Sequence, residues 1–308
     1  MSVTENLHPT YNGKTLGAMK AERADKRITF DRTEASPGDT LYVSVPKLNA
    51  NEVLMPGSLS LLFDIDLSGG HANNFLVQNV TRALVDRLAV KFAGEILQDT
   101  VGYDIYKTFE DLFLSQEKRD GMTLEGIQSE DLCKIRSGAG DKKTSGVDAE
   151  NKLEEVFGKK YRIRLDHQIL TVFYPSTLYN YLTFDITLAP ASQVVKGPEK
   201  TELKYKLKNI VLEYEMIRNE TLAAVVENVY SSGKELAYDH VLRSEVVKFK
   251  KDTDTLVDIK VNAQRRSLKA ILLLFLEPYE RGARDSEKSD ESERHNQRLT
   301  QDALQQWY

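Results

Sequence analysis

The residues best suited to chemistry are few and scattered. Gly138–Thr144 reads GAGDKKT and ends in the Lys-Thr pair that closes a phosphate-binding loop. In such a loop, backbone N–H groups cradle phosphates and the hydroxyl sits on Mg2+. The match fails at Lys142, which stands where the motif needs glycine, and no buried strand pattern precedes it. The histidines are His8, His71, His167, His240 and His295, and none lies four residues from another, as a zinc-binding helix requires. His71 follows Gly69-Gly70 and reads as a loop residue. Asp166-His167 and Asp239-His240 are adjacent pairs, whose side chains point to opposite faces of a strand and so form no local acid–base couple. No serine sits in a G-x-S-x-G elbow. Cys133, in the charged stretch SEDLCKIRSG, has a setting that leaves it open to solvent but lacks the marks of an activated thiol. Arg265-Arg266 is a compact basic pair and reads as a solvated turn. The expectation is a protein with no catalytic, cofactor-binding or metal-binding residues, and not an enzyme.

Composition narrows the classes further. Over 308 residues, 41% are apolar and 29% charged, which suits a folded chain with a sizeable core. A net charge of −5 argues against a dedicated or sequence-specific nucleic-acid binder, which would carry a basic stripe. With Cys133 alone, an internal disulfide and a cysteine-built zinc site are both excluded, and synthesis in a reducing compartment is expected. The opening MSVTENLHPTYNGKT lacks the apolar core of a secretory signal. The longest apolar run, Ala270–Leu276, is too short to span a bilayer, so no membrane partner is expected.

The elements that would carry any site are strands. Residues 1–27 are polar and read as a flexible, solvated arm; Lys14, Lys20, Arg23, Lys26 and Arg27 are diluted by Glu5, Glu22 and Asp25. Alternation then recurs at Thr40–Val45, at Leu59, Leu61, Phe63, Ile65 and Leu67, at Tyr161–Leu165, and at Leu182, Phe184, Ile186 and Leu188. Leu203–Leu207 and Ile210–Tyr214 read as one long strand with a slip, or bulge, at Lys208-Asn209. Leu88, Val90 and Phe92 alternate with Arg87, Ala89 and Lys91; Ala93-Gly94-Glu95 supplies a tight turn, and Ile96–Gln98 returns as the second arm of a hairpin. From Asp104 the period becomes helical, with Ile105, Phe109, Leu112 and Phe113 on one face. Residues 104–160 form a helical and loop insertion, and 28–217 the first sandwich. Residues 218–280 read as a linker followed by strands at Val246–Phe249, Leu256–Val261 and Leu268–Leu276. Residues 281–308 are nearly all polar and read as a disordered tail. The fold class is all-β, an antiparallel jelly-roll sandwich with small helical insertions.

Three separated blocks resemble one family. VKFAGEILQDTVGYDIYKTFEDL, within Asn79–Leu114, resembles the strand, glycine turn and aromatic helix of double jelly-roll major capsid proteins. FYPSTLYNYLTFDITL, at Phe173–Leu188, resembles their proline-led loop and following strand. Asn209–Glu215 with Val257–Leu276 resembles the end of the first jelly roll and entry to the second. The chain is most similar to the capsid proteins of Polinton/Maverick transposons and adintoviruses, over residues 35–287. The resemblance implies two eight-stranded jelly rolls and a homotrimeric, pseudo-hexagonal capsomer. Its partners would be neighbouring capsomers and a penton or minor capsid protein, in a virion assembled in the host cell cytoplasm or nucleus. The family supplies no catalytic residues. After Glu287 this chain has the polar tail where the family continues, so an incomplete second jelly roll, and a chain that closes no shell alone, are expected.

Two other classes compete. A cupin-like metalloenzyme needs histidines and carboxylates on inward strand positions, yet Leu59, Leu61, Phe63, Leu88, Val90, Phe92, Leu182 and Phe184 are all apolar. A jelly-roll module binding carbohydrate or protein would place some of the 14 tyrosines on its surface.

Overall fold

The computed structural model describes residues 21–68, 73–138, 158–197, 203–232, 238 and 241. The chain divides into two compact units, Met1–Val241 and Leu242–Tyr308, and the second lies wholly outside the described residues. The strands expected between 246 and 276, the polar tail, the phosphate-loop-like stretch beyond Gly138, Arg265-Arg266, and His8, His71, His240 and His295 therefore lie outside them too.

Eight strands carry the first unit: β1 Glu22–Thr29, β2 Thr40–Ser44, β3 Ser60–Ser68, β4 Val85–Phe92, β5 Glu95–Val101, β6 Lys160–Arg164, β7 Leu182–Leu188 and β8 Lys204–Arg218. One sheet has the order β1-β8-β3-β6 and the other β2-β7-β4-β5, with every pair antiparallel. First pairs with eighth, second with seventh, third with sixth and fourth with fifth. This nesting is one long hairpin wrapped into two facing sheets, and it defines a jelly roll. Short strands extend the sheets: Glu52–Leu54 joins the end of β8 and pairs in turn with Tyr174–Pro175, while Phe75–Leu76 pairs with Val195–Lys196.

Alternation explains the layers. In β7, Leu182, Phe184, Ile186 and Leu188 are buried, while Thr183, Asp185 and Thr187 face outward and stay half-exposed. Leu61, Phe63 and Ile65 of β3 meet them across the core, joined by Leu41 and Val43 of β2. In β8 the buried residues are Tyr205 and Leu207, then Ile210, Leu212, Tyr214 and Met216. The parity changes between them, and the register shifts between Lys208 and Val211. Asn209 takes φ 52° at that point. The bulge expected at Lys208-Asn209 is thus what keeps both halves of β8 facing one core. The β4–β5 hairpin also forms as expected, with positive φ at both Ala93 (51°) and Gly94 (87°).

Four readings need correction. The arm expected over residues 1–27 ends earlier, because β1 begins at Glu22 and pairs along β8 from Arg218 to Val211. Seven of its eight residues are exposed, so it carries no apolar alternation to read; ion pairs hold it instead, Arg23 to Glu215, Arg27 to Glu213 and Glu22 to Arg218. The linker after residue 218 opens with a helix, Glu220–Ser231, capped by Asn219, whose Oδ1 accepts the Leu222 N–H at 2.8 Å. Its Leu222, Ala223 and Val226 pack on Val53, Val172 and Phe173 in a small second core. Phe92 lies at the strand end and is half-buried, not a core residue like Val90. Finally, the helix after β5 buries its apolar face only in part, as described next.

Candidate functional site

The insertion between β5 and β6 carries helices α1 (Tyr103–Leu112), α2 (Gln116–Asp120) and α3 (Glu130–Ser137). Gly102 starts α1 with φ 71°, turning the chain back over the end of the sandwich. The row facing the protein is Tyr103, Lys107 and Asp111, spaced four apart; Tyr103 and Asp111 are buried, and the Lys107 side chain is 12% exposed. The opposite row is Ile105, Phe109 and Phe113, and Phe113 is 75% exposed. The helix docks with its charged row inward; Ile105 and Phe109 are half-buried, and the exposed member of the apolar row is Phe113, at the helix C-cap.

The inward charges are matched one by one. Arg82, on the turn preceding β4, donates through Nε to Asp111 Oδ2 at 3.0 Å. Burial alone would lower the Arg82 pKa, but the Asp111 carboxylate outweighs it and raises it. Lys107 Nζ reaches Glu110 at 2.8 Å and Asp166 at 3.2 Å. Burial opposes its charge, and the two carboxylates overcome that and raise its pKa. Its ammonium also sits 5.8 Å from the Tyr103 ring centroid. Burial pushes the Tyr103 phenol well above its ordinary pKa.

Farther along the insertion, Glu125 is fully buried and accepts from Arg162 Nη2 at 2.9 Å and Arg164 Nε at 2.5 Å, both on β6. Arg136 of α3 donates to the carbonyls of Gly158 (2.9 Å) and Thr123 (3.0 Å) and to Gln128 Oε1 (2.6 Å), with its guanidinium 3.9 Å from the Tyr161 ring centroid. Buried charge thus helps to fasten this insertion to the sheets, alongside the buried Tyr103, Leu132 and Cys133.

A cavity opens where β5 and β6 face each other. Val85, Leu88, Phe184 and Ile186 form its floor, and Lys107, Glu110, Asp166 and His167 its mouth. It encloses about 90 Å3, below the ~300 Å3 at which small-molecule pockets begin. Gln98 brings polarity to its wall, and its Nε2 donates to the buried Thr100 Oγ1 at 3.0 Å. Both are inward positions of β5, so the inner faces are not wholly apolar.

His167 is the one described histidine. Its Nδ1 accepts the Ile169 N–H at 3.3 Å, capping the 3-10 turn Gln168–Thr171. The acceptor nitrogen is thereby used, and the proton belongs on Nε2, which is buried without a partner among the described residues. Burial lowers the ring's pKa to about 4, with Asp166 opposing and Lys107 adding to the effect. Its ring lies 5.5 Å from that of Tyr238. In this arrangement His167 is a turn cap, and no serine, threonine or cysteine lines the cavity among the described residues. Asp166 turns to Lys107; it and His167 lie in the loop after β6, not on the strand expected for the pair.

Cys133 is buried, not exposed; burial pushes its thiol pKa up, which leaves it a poor nucleophile. Among the described residues no group of three His, Cys, Asp or Glu side chains is placed to hold a metal, and no helix is long and apolar enough to cross a membrane.

No family model matches the chain, and no curated protein does. Several solved structures are similar. The quasi-atomic PBCV-1 virus capsid aligns at TM-score 0.41 with 13% identity, covering 70% of this chain and 47% of that one. PBCV-1 VP54, fitted into a reconstruction of the virophage Sputnik, aligns at 0.38 and 12%, with the same coverages of 70% and 47%. The major capsid protein of Sulfolobus turreted icosahedral virus aligns at 0.27 and 12%, covering 62% and 48%. This chain spans about half the length of the chains it matches. At these scores the likeness bears no weight, and the fold rests on the strand order itself.

Proposed function

We propose that this protein is a structural subunit of a viral-type capsid, of the Polinton/Maverick and adintovirus kind, that trimerises into capsomers and has no enzymatic activity. The observation that carries this reading is where the resembling blocks fall. The first supplies β4, the Ala93-Gly94 turn, β5 and α1; the second supplies β7, which pairs with β4 through Phe184 and Val90; the third begins in β8. The blocks therefore form the jelly roll rather than decorate it. The geometry of the mouth supports the same reading, since its charged groups are used to hold the insertion.

The test is the assembly state of the full chain. Light scattering on purified protein should give a trimer mass, and electron microscopy should show three-fold capsomer-like particles. A strict monomer at high concentration, or a reproducible hydrolase or transferase activity lost with Asp166→Ala, would count against it.

A further inference from the structure

We propose that the segment through Tyr238 and Val241 is a strap over the open side of the sandwich, and that protonation of His167 releases it. The first observation is where the strap lies. β5 ends one sheet and β6 ends the other, so the sheets part along this side, with no further strand among the described residues to close it. The cavity opens there, over the apolar floor of Val85, Leu88, Phe184 and Ile186, and Val241 lines it. The strap touches both sides of the gap. Tyr238 Oη donates to the Leu97 carbonyl and Thr100 Oγ1 donates to the Val241 carbonyl, both at 3.4 Å. On the β6 side, the Tyr238 ring lies 5.5 Å from the His167 ring. Two long hydrogen bonds and one ring contact make a marginal fastening. Val241 is also the last residue of the first unit, so the strap is the chain's way out toward Leu242.

Proton placement decides what acid does. In the neutral ring Nδ1 accepts the Ile169 N–H at 3.3 Å, and the proton sits on the buried Nε2. A second proton must go to Nδ1, where it faces the Ile169 N–H, donor against donor. The ring then has to leave its turn, and the strap loses its hold on the β6 side. The charged groups at the mouth do not rescue the cation. Asp166 and Glu110 are held by Lys107, whose ammonium repels an imidazolium, and Arg164 is bound to Glu125. Tyr103 and Tyr106 of α1 and Tyr238 of the strap bring phenols, which acid leaves neutral. β4, β5 and β7 face the cavity with Val85, Leu88, Gln98, Phe184 and Ile186, all uncharged. Burial therefore sets the ring's preference, and a ring released into water returns to its ordinary pKa of 6.5. With about 4 in place and 6.5 when released, the weight of the released strap rises about 20-fold between pH 7 and pH 5.

The test reads access to the cavity beneath the strap. Gln98→Cys with Cys133→Ala, in the full 308-residue chain, places one thiol on the cavity wall. A pyridyl disulfide labels it, and each rate is divided by that of a free cysteine peptide at the same pH, which removes the thiol's own ionisation. We expect the corrected rate to rise about 20-fold from pH 7 to pH 5. His167→Asn in this chain should hold the rate flat. His240→Asn, two residues beyond Tyr238, should follow the parent. Tyr238→Ala should label fast already at pH 7. Wild-type Cys133, buried in α3, reports any general loosening and should stay slow at both pH values. Leu88→Cys on the cavity floor is a second reporter if Gln98→Cys does not fold. The proposal falls if the parent's rate is flat, if it rises equally with His167→Asn, if His240→Asn abolishes the rise, or if Cys133 opens in step. It falls too if Tyr238→Ala labels no faster than the parent at pH 7, since the strap would then cover nothing. None of these results touches the subunit reading, which the trimer mass decides.

Discussion

Arg82 and Asp111 form an ion pair inside the protein: Nε to Oδ2 is 3.0 Å, and both side chains are at least nine-tenths buried. The pair joins the turn before β4 to the last turn of α1, and it decides which face of that helix points inward. Removing one partner strands the other as a buried charge, which costs about 3–5 kcal/mol. Asp111→Ala should therefore destabilise by about that amount in urea denaturation. Arg82→Met combined with Asp111→Leu should recover most of the loss, because the cost is the orphaned charge. A single substitution within about 1 kcal/mol of wild type would show that the helix is not held this way.

The register of the second sheet can be read from three substitutions. Phe184 is 1% exposed at the centre of β7, opposite Val90, so Phe184→Ala should cost about 3–5 kcal/mol. Phe92, half-buried at the end of β4 beside Tyr181, should cost clearly less. Lys91 faces outward and pairs with Asp185 at 2.5 Å, so Lys91→Ala should stay within about 1 kcal/mol. Equal losses for Phe184→Ala and Lys91→Ala would mean the inward face is misassigned.

How much of this was legible beforehand follows from where apolar residues do the work. Strands whose inward residues are Leu, Phe, Ile or Tyr announce themselves by alternation, and the bulge in β8 shows as a parity change around Asn209. β1 does not, because ERADKRIT is held to β8 by cross-strand ion pairs and no apolar face is buried. The α1 period was readable, but its direction was not. A stripe of Ile105, Phe109 and Phe113 says core to any periodicity argument, and what overrides it is Arg82 and Asp166, distant in sequence, receiving Asp111 and Lys107. The Glu220–Ser231 helix was readable in part, from the Asn219-Glu220 start and the spacing of Leu222, Ala223 and Val226. The cavity at the mouth was not, since it exists where β5 and β6 part around residues of six separate segments.

Gly126 tests how closely the insertion fits. It takes φ 77°, and a Cβ there would lie 2.5 Å from Val80 Cγ1, on a side chain with no exposure. Its carbonyl also accepts the Asn79 N–H at 2.9 Å. Gly126→Ala combines left-handed backbone strain of about 1–2 kcal/mol with an overlap that Val80 has no room to relieve. A loss of more than 2 kcal/mol is expected, about what overpacking costs on top of the strain. Replacing Val80 by Ala in the same chain should return part of it. A Gly126→Ala protein with wild-type stability would show that this loop is loosely seated.

The acid side of the stability curve should carry the signature of His167. Its pKa falls from 6.5 to about 4 on folding, chiefly through burial. Between those values the unfolded chain binds a proton that the folded chain does not, so stability rises with pH across that window. Conversely, acidification from pH 6.5 toward 4 should remove up to about 3 kcal/mol of stability from this group. Asp39, held low by the Ser36 N–H and then Arg32, and Asp99, held low by Arg87, lose their contributions only as pH falls below the ordinary aspartate value of 3.8 and through their own lower values. The upper window is therefore free of them. Asparagine at position 167 still offers an oxygen to the Ile169 N–H and does not titrate. His167→Asn should thus fold normally at pH 7 and lose most of the slope between pH 6.5 and 5 in denaturation midpoints, above the range in which Glu34 and Glu52, both lowered from 4.5, contribute. The His167 ring protons, followed by NMR, should titrate near pH 4. A ring that titrates near 6.5, or a slope unchanged by His167→Asn, would mean the imidazole is solvated and the turn does not depend on its Nδ1.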